Sequence, residues 1–139
     1  MQNPRLIWLG IGLALLALIN LAVFTGVFSD RSIDMHWRVL AQSSDDEGPY
    51  LLAQFAMSDT RPIKSIRVQR LDADGEPAET LWEVKGKSAP IDTFSFGSSI
   101  NGMERTDEND SRPRLRPSQT YRIRIKATGF KSGELDFQT

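Results

Sequence analysis

After about position 30 the chain alternates apolar and polar side chains in short segments. The first segment spans Ser32–Ala41, with apolar side chains at every second position: Ile33, Met35, Trp37 and Val39. Such a period of two is typical of a strand with one buried face. Six further segments repeat it: Tyr50–Ser58, Ile63–Leu71, Thr80–Gly86, Ile91–Gly97, Thr120–Ala127 and Gly133–Gln138. With turn-forming residues between them and no helical period, they predict an all-β, seven-stranded antiparallel sandwich.

The phase of the pattern predicts several local features. In the third segment Ile66 and Val68 face inward, whereas Ile63 is out of phase and indicates a bulge or a late start. The polar stretch Gln42–Pro49 predicts a loop whose acidic run, Asp45 to Glu47, is solvated. Asp72–Glu76 has alternating carboxylates but lacks the spacing of a calcium loop, so it predicts a tight turn.

The longest predicted connection is Gly97–Pro117, about 20 residues of mainly polar composition. Loops of this length are usually either functional or disordered, and the composition leaves both interpretations open.

The N-terminal part has a different pattern. Leu6–Phe28 contains 23 residues without a charge, and a helix of that length spans roughly the 30 Å hydrocarbon core of a bilayer. A cleaved signal peptide is the alternative, but the run exceeds the usual apolar region of about 7 to 15 residues and no A-x-A-like site follows it. The sequence therefore predicts a signal anchor at 6–28, a short N-terminus at 1–5 and an extracytoplasmic domain at 29–139.

Two further expectations concern this predicted helix. Gly10 and Ala14 form a small-xxx-small pair, and Asn20 is a polar group within the span. Such residues can support helix–helix contact, although small residues are common in any membrane helix. Arg5 and the terminal amine favour a cytoplasmic N-terminus, which predicts a single-pass protein of the cell inner membrane with its C-terminal domain in the periplasm.

Charge and composition exclude several function classes. The formal net charge is −1, and the part after the apolar run has 16 basic and 18 acidic residues, 16 − 18 = −2, so bulk charge gives no attraction to nucleic acid. The chain has no cysteine and a single histidine, His36, which excludes disulfides, thiolate chemistry and cysteine-based zinc sites. No cofactor or metal site is expected, and no nucleophile motif indicates an enzyme.

The stretch Leu115–Ala127, "LRPSQTYRIRIKA", resembles the Leu-x-Pro-x-x-x-Tyr-x-x-x-x-x-Ala stretch of fibronectin type III modules, a branch of the immunoglobulin-like sandwiches. In this resemblance Tyr121 is the tyrosine corner, whose hydroxyl binds the upstream backbone. The early-strand tryptophan of the family has no clear counterpart, because Trp37 lies on the first predicted strand and Trp82 on the fourth. The resemblance implies a fold and carries no specific function.

A basic series is the main candidate binding surface. It comprises Arg67 on the third predicted strand and six residues before and along the sixth: Arg112, Arg114, Arg116, Arg122, Arg124 and Lys126. One interpretation is a docking face for anionic lipid headgroups or an acidic partner. The other is a solvated strand face with cross-strand ion pairs, in which Glu134 and Asp136 neutralise part of the charge.

Together these patterns predict a non-catalytic, membrane-anchored envelope protein that acts as an interaction or accessory module for another envelope protein. An edge strand could receive a partner strand by β-augmentation. The alternatives are binding of anionic lipid through the face Arg112–Lys126 and, with less support, an enzyme. The sequence leaves the oligomeric state open.

Overall fold

The computed structural model describes residues 33–107, 112–129 and 132–139, together with Ala14. The chain divides into two units, 1–31 and 32–139. The described part of the second unit contains eight strands: β1 (Met35–Asp45), β2 (Gly48–Arg61), β3 (Ile63–Leu71), β4 (Pro77–Gly86), β5 (Ile91–Ser95), β6 (Met103–Arg105), β7 (Thr120–Ala127) and β8 (Gly133–Gln138). They form two antiparallel sheets, in the orders β1-β2-β5 and β6-β4-β3-β7-β8.

The core lies where the inward faces of both sheets meet, as the alternating pattern predicts. Phe55 of β2 contacts Phe137 of β8, with ring centroids 5.4 Å apart. The ring centroids of Trp82 of β4 and Phe94 of β5 are 6.2 Å apart. Aromatic pairs of this kind add about 0.5–1.5 kcal/mol to the stabilisation from burial. These contacts join one sheet to the other, so the all-β, two-sheet architecture expected from the sequence is confirmed.

The number of strands is the main correction, since the described residues contain eight strands rather than seven. The bounds of β3, β7 and β8 are those predicted, while β6 lies inside the predicted loop Gly97–Pro117. It pairs with β4 through Val84↔Arg105 and Gly86↔Met103. A three-residue strand has no measurable period, so its sequence could not reveal it.

The prediction of a polar loop at Gln42–Pro49 is wrong. β1 continues to Asp45, and Asp46 and Glu47 form a two-residue turn before Gly48, which has a positive φ of 117°. This part of the hairpin extends beyond the core, so its pairing with β2 needs no apolar face and leaves no alternation in the sequence. Val39, which was predicted to face inward, is accordingly 46% exposed.

The chain passes from one sheet to the other between β2 and β3, with Pro62 as the single intervening residue. Ile63 is fully buried, its N–H donates to the Ser88 hydroxyl at 2.8 Å, and its carbonyl accepts from the Ser88 N–H at 3.0 Å. The register against β7 shifts between Ile63 and Ser65. The irregularity predicted from the off-phase Ile63 is therefore confirmed.

The predicted membrane segment Leu6–Phe28, with Gly10 and Asn20, lies outside the described residues except for Ala14, which is helical. Across the ranges that the structure describes, no helix has the length and hydropathy needed to cross a bilayer.

Candidate functional site

The structure separates the predicted basic series into two groups. Arg67, Arg122, Arg124 and Lys126 lie on the outer face of β3 and β7, which we term the basic sheet face. Arg112, Arg114 and Arg116 lie in the segment 112–119 before β7, which we term the arginine segment. The contacts of the two groups differ, so the series is not one continuous binding surface.

Cross-strand ion pairs occupy most of the basic sheet face. β7 lies between β3 and β8. Arg122 binds Asp136 at 2.7 Å and Arg124 binds Glu134 at 2.7 Å, while Arg67 pairs with Glu83 of β4. Lys126 has no ion pair among the described residues. This arrangement matches the interpretation as a solvated strand face, in which each pair contributes up to about 1 kcal/mol.

The pKa values of the paired carboxylates reflect these contacts. The hydrogen bond from Arg122 lowers the pKa of Asp136 below its ordinary value. Burial would raise the pKa of Glu83, but hydrogen bonds from Arg67 and Thr106 outweigh it and the pKa is lowered. Both carboxylates are therefore charged near neutral pH, and they cancel much of the positive charge of this face.

The arginine segment instead contacts the β1–β2 hairpin. The guanidinium of Arg116 binds both carboxylate oxygens of Asp45, at 2.9 and 3.0 Å, and Glu47 at 2.9 Å. Its hydrogen bond lowers the pKa of Asp45 and raises the pKa of Arg116. The guanidinium carbon of Arg114 lies 3.7 Å from the centre of the Tyr50 ring, a cation–π contact. Asp45 and Glu47 are thus ion-pair partners of Arg116, which the sequence did not predict, while the acidic run Asp45 to Glu47 is exposed, as predicted.

Tyr121 fixes the position of this segment. Its buried hydroxyl accepts a hydrogen bond from the Arg116 N–H at 2.8 Å, a contact with upstream backbone of the kind that the resemblance to fibronectin type III modules implies. Burial raises the pKa of this hydroxyl, which therefore stays protonated near neutral pH. Leu115 is fully buried, and its carbonyl accepts from the Leu51 N–H at 2.8 Å. The arginine side chains therefore project from a backbone that is held at several points.

A groove of about 520 Å³ lies beside the arginine segment. Its lining includes all three arginines of the segment, Arg70 of β3, and the carboxylates Glu47 and Glu79. Sequence reasoning missed Arg70, because β3 lies some forty residues before the segment and only the fold brings them together. The groove therefore combines four guanidinium groups with two carboxylates.

A second feature is the edge formed by β1. In the described part of the chain β1 pairs only with β2, and Val39 and Leu40 of β1 and Leu52 of β2 are 46%, 49% and 43% exposed. Leu40 and Leu52 also line a groove of about 230 Å³. We term Leu40 and Leu52 the apolar patch. Leu40 and Leu52 occupy positions of the alternating pattern where a polar residue is expected. This departure from the pattern was the sequence signal that could have predicted an outward apolar surface.

The remaining candidates have structural roles or no described partner. The Asp72 side chain accepts hydrogen bonds from the N–H groups of Asp74 and Glu76, both at 2.9 Å, which forms the predicted tight turn. His36 is exposed on β1. Within the described ranges, no group of three or more histidine, cysteine or acidic side chains could hold a metal ion.

Comparison of the chain with protein-family models, with curated proteins and with solved structures found no match. Among the described residues, the open β1 edge and the groove at the arginine segment are the two features suited to binding a partner or a ligand.

Proposed function

We propose that this protein is a non-catalytic, membrane-anchored module of the cell inner membrane, whose periplasmic β-sandwich binds another envelope protein. The observation that carries this proposal is the open edge of β1 with the apolar patch beside it. A partner segment in extended conformation would add a strand to the β1-β2-β5 sheet by β-augmentation.

The β1 edge has the properties that such pairing needs. Eleven residues make β1 longer than a typical strand of five or six, and an unpaired edge presents backbone N–H and C=O groups to another chain. Folded proteins usually protect long edges with charged side chains or proline, and in some cases with a β-bulge. The stretch Val39–Ser44 contains neither a charged side chain nor proline, although the register against β2 is irregular between Val39 and Ala41.

The groove next to the edge supplies a means of selecting the partner. Backbone pairing gives affinity without sequence preference, whereas pockets for side chains give specificity. Leu40, Leu52 and the half-buried Phe96 contribute apolar surface to the 230 Å³ groove. The partner segment is accordingly one that carries an apolar side chain.

The anchor and the fold family are parts of the same proposal. The uncharged run Leu6–Phe28 supports a single membrane span, and Arg5 supports a cytoplasmic N-terminus. An immunoglobulin-like sandwich is supported by the hydroxyl contact of Tyr121 and by β7 lying between β3 and β8. Such folds host many binding functions, so the edge identifies the site and the family does not.

Site-directed crosslinking in the native membrane tests this proposal. A photoreactive residue in place of the exposed Gln42 of β1 should give one adduct of defined mass, and Leu40→Lys in the same chain should reduce its yield severalfold because a charge opposes strand pairing. The matched control carries the photoreactive residue at Lys126, on the other sheet. Equal adducts from both positions, or none from Gln42, would contradict the proposal.

Two other functions remain predictions from the sequence. Lipid headgroup binding by the whole face Arg112–Lys126 has fewer donors to use, because Arg122 and Arg124 are ion-paired and Arg116 is bound to the hairpin. An enzyme would require a reactive group in one of the grooves, and no feature of their lining favours a particular reaction.

A further inference from the structure

The groove of about 520 Å³ at the arginine segment has the size of a small-molecule site. Its volume falls within the range of about 300–1,000 Å³ that is usual for such sites. Most lining side chains are polar or charged, and Gln119 adds an amide with no side-chain hydrogen bond among the described residues. A polar ligand fits this lining better than an apolar one.

The arginines of this groove differ in how many donors they have left. Arg116 uses both terminal nitrogens on Asp45, Glu47 and hairpin carbonyls, so its role is structural. The Nε of Arg70 lies 3.5 Å from a carboxylate oxygen of Glu79, and the Nε of Arg114 lies 3.6 Å from a carboxylate oxygen of Asp45. Both distances are longer than those of the Arg116 contacts. Arg112 is exposed and forms no ion pair with any described residue. Since each guanidinium has five N–H donors, three arginines retain unused hydrogen-bonding capacity.

One of these side chains is also held in place before any ligand binds. Arg114 stacks on the Tyr50 ring at 3.7 Å, and its side chain is 24% exposed. A planar guanidinium that is already ordered loses less conformational entropy on binding. Its fork of parallel N–H groups matches two oxygens of a phosphate.

We propose that this groove binds a phosphate group attached to a polar body, with Arg70, Arg112 and Arg114 as the ligating side chains. The four guanidinium groups outnumber the three carboxylates beside them, Asp45, Glu47 and Glu79, so the phosphate neutralises a remaining positive charge, and Gln119 contacts the polar body. The ligand is either a soluble phosphate ester or the headgroup of a lipid, since both present the same chemistry. Arg112 and Arg114 also line the 230 Å³ groove beside the β1 edge, so the two sites adjoin each other.

Titration of the full-length protein with glycerol 3-phosphate tests the site. The protein is kept in a maltoside detergent, which has no phosphate, and heat of binding is measured with glycerol as the control ligand. We expect saturable binding of glycerol 3-phosphate and none of glycerol. Absence of binding of both glycerol 3-phosphate and the lipid described below would overturn the proposal.

Two variants with the same change in charge locate the binding. Arg112→Gln should weaken binding by about tenfold, because it removes a charge-assisted hydrogen bond. Lys126→Gln should leave the affinity unchanged, since Lys126 is also exposed and unpaired among the described residues but lies on the basic sheet face. Equal losses would indicate attraction by bulk charge alone and would overturn the proposal. Arg70→Gln provides a second variant from a different strand, with a loss expected.

The source of the phosphate is distinguished by a parallel titration with dihexanoyl phosphatidylglycerol, a short-chain lipid. Tighter binding of this lipid, sensitive to Arg112→Gln, assigns the groove to lipid headgroups, whereas tighter binding of glycerol 3-phosphate assigns it to a soluble ester. Lipid binding that is insensitive to Arg112→Gln, with no binding of glycerol 3-phosphate, would overturn the proposal.

Discussion

Tyr121 joins the core to the arginine segment through one hydroxyl group. Its ring is buried and stacks on Phe137 with centroids 5.6 Å apart, while its hydroxyl reaches the backbone of Arg116. The Arg116 carbonyl accepts from the Tyr121 hydroxyl at 3.4 Å and from the Thr139 hydroxyl at 2.6 Å, whereas the Arg116 N–H donates only to Tyr121 among the described contacts. The Tyr121 hydroxyl thus holds the backbone N–H of Arg116, one of the residues that line the groove.

Tyr121→Phe should destabilise the protein by about 1–2 kcal/mol, because it leaves the Arg116 N–H without its acceptor and adds no cavity. Urea unfolding followed by tryptophan fluorescence measures the free energy of unfolding. Tyr50→Phe is the matched control, since no hydrogen bond of the Tyr50 hydroxyl exists among the described residues, and a change within about 0.5 kcal/mol is expected. Equal effects of the two substitutions would contradict this role of Tyr121.

At the scale of elements, β6 depends on two glycines that allow two backbones to approach closely. Gly102 precedes β6 with a φ of 85°, and a Cβ there would lie 2.2 Å from the Lys87 carbonyl oxygen. A Cβ on Gly86 would lie 2.4 Å from the Gly102 oxygen. The Lys87 N–H donates to that same oxygen at 3.0 Å. Glycine is needed here because any side chain would separate β6 from β4.

Gly102→Ala should detach β6 from β4 and accelerate hydrogen exchange at the amides of Lys87 and Thr106, which bond across this junction. Gly75→Ala is the control, because Gly75 has a similar φ of 79° with no atom near the added Cβ. Gly75→Ala should lower the free energy of unfolding only by the backbone strain, about 1 kcal/mol. It should not accelerate hydrogen exchange at Lys87 or Thr106. Protection that persists at Thr106 in Gly102→Ala would refute the dependence of β6 on this approach.

At the scale of the whole molecule, ion pairs connect parts of the domain that are distant in sequence. Asp45 and Arg116 are 71 positions apart, and their contact links the hairpin of the β1-β2-β5 sheet to the segment that leads into β7. The domain has nearly balanced charge, so such pairs are possible over much of its surface. The fold decides which arginines are neutralised and which remain available to a ligand.

The link between Asp45 and Arg116 should depend on pH. The pKa of Asp45 is lowered from its ordinary value of 3.8, so the unfolded chain binds the proton more readily and the pair stabilises the fold above that value. This stabilisation should begin to be lost below about pH 5 and should disappear as pH falls through the lowered pKa. The difference in free energy of unfolding between the natural protein and Asp45→Asn should therefore be largest at neutral pH and shrink on acidification.

Comparison with a neighbouring substitution isolates this effect. Asp46→Asn changes the same charge in the turn, where Asp46 has no ion pair among the described residues. The free energy of unfolding of Asp46→Asn should change with pH as that of the natural protein does. The contributions of the other titrating groups are the same in both proteins and cancel in the difference. A difference for Asp45→Asn that does not change between pH 7 and pH 3 would contradict the proposed link.

The sequence by itself determined the all-β class and most of the strands. Alternation is a local property, so a strand with one face in the core records its position in the order of its own residues. The bounds of β3, β7 and β8 and the irregularity at Ile63 were all predictable for this reason. The distal half of β1 and the strand β6 were not, because backbone pairing outside the core places no demand on side chains.

Only the tertiary structure decided how the charged residues combine. The spacing of Arg112, Arg114 and Arg116 indicated a basic surface, but Asp45 and Tyr50, the partners of Arg116 and Arg114, come from the opposite end of the domain sequence. The same holds for Arg70, which joins the groove across the fold. Ion pairs and grooves depend on distances in space, and these distances arise only after the sheets have packed.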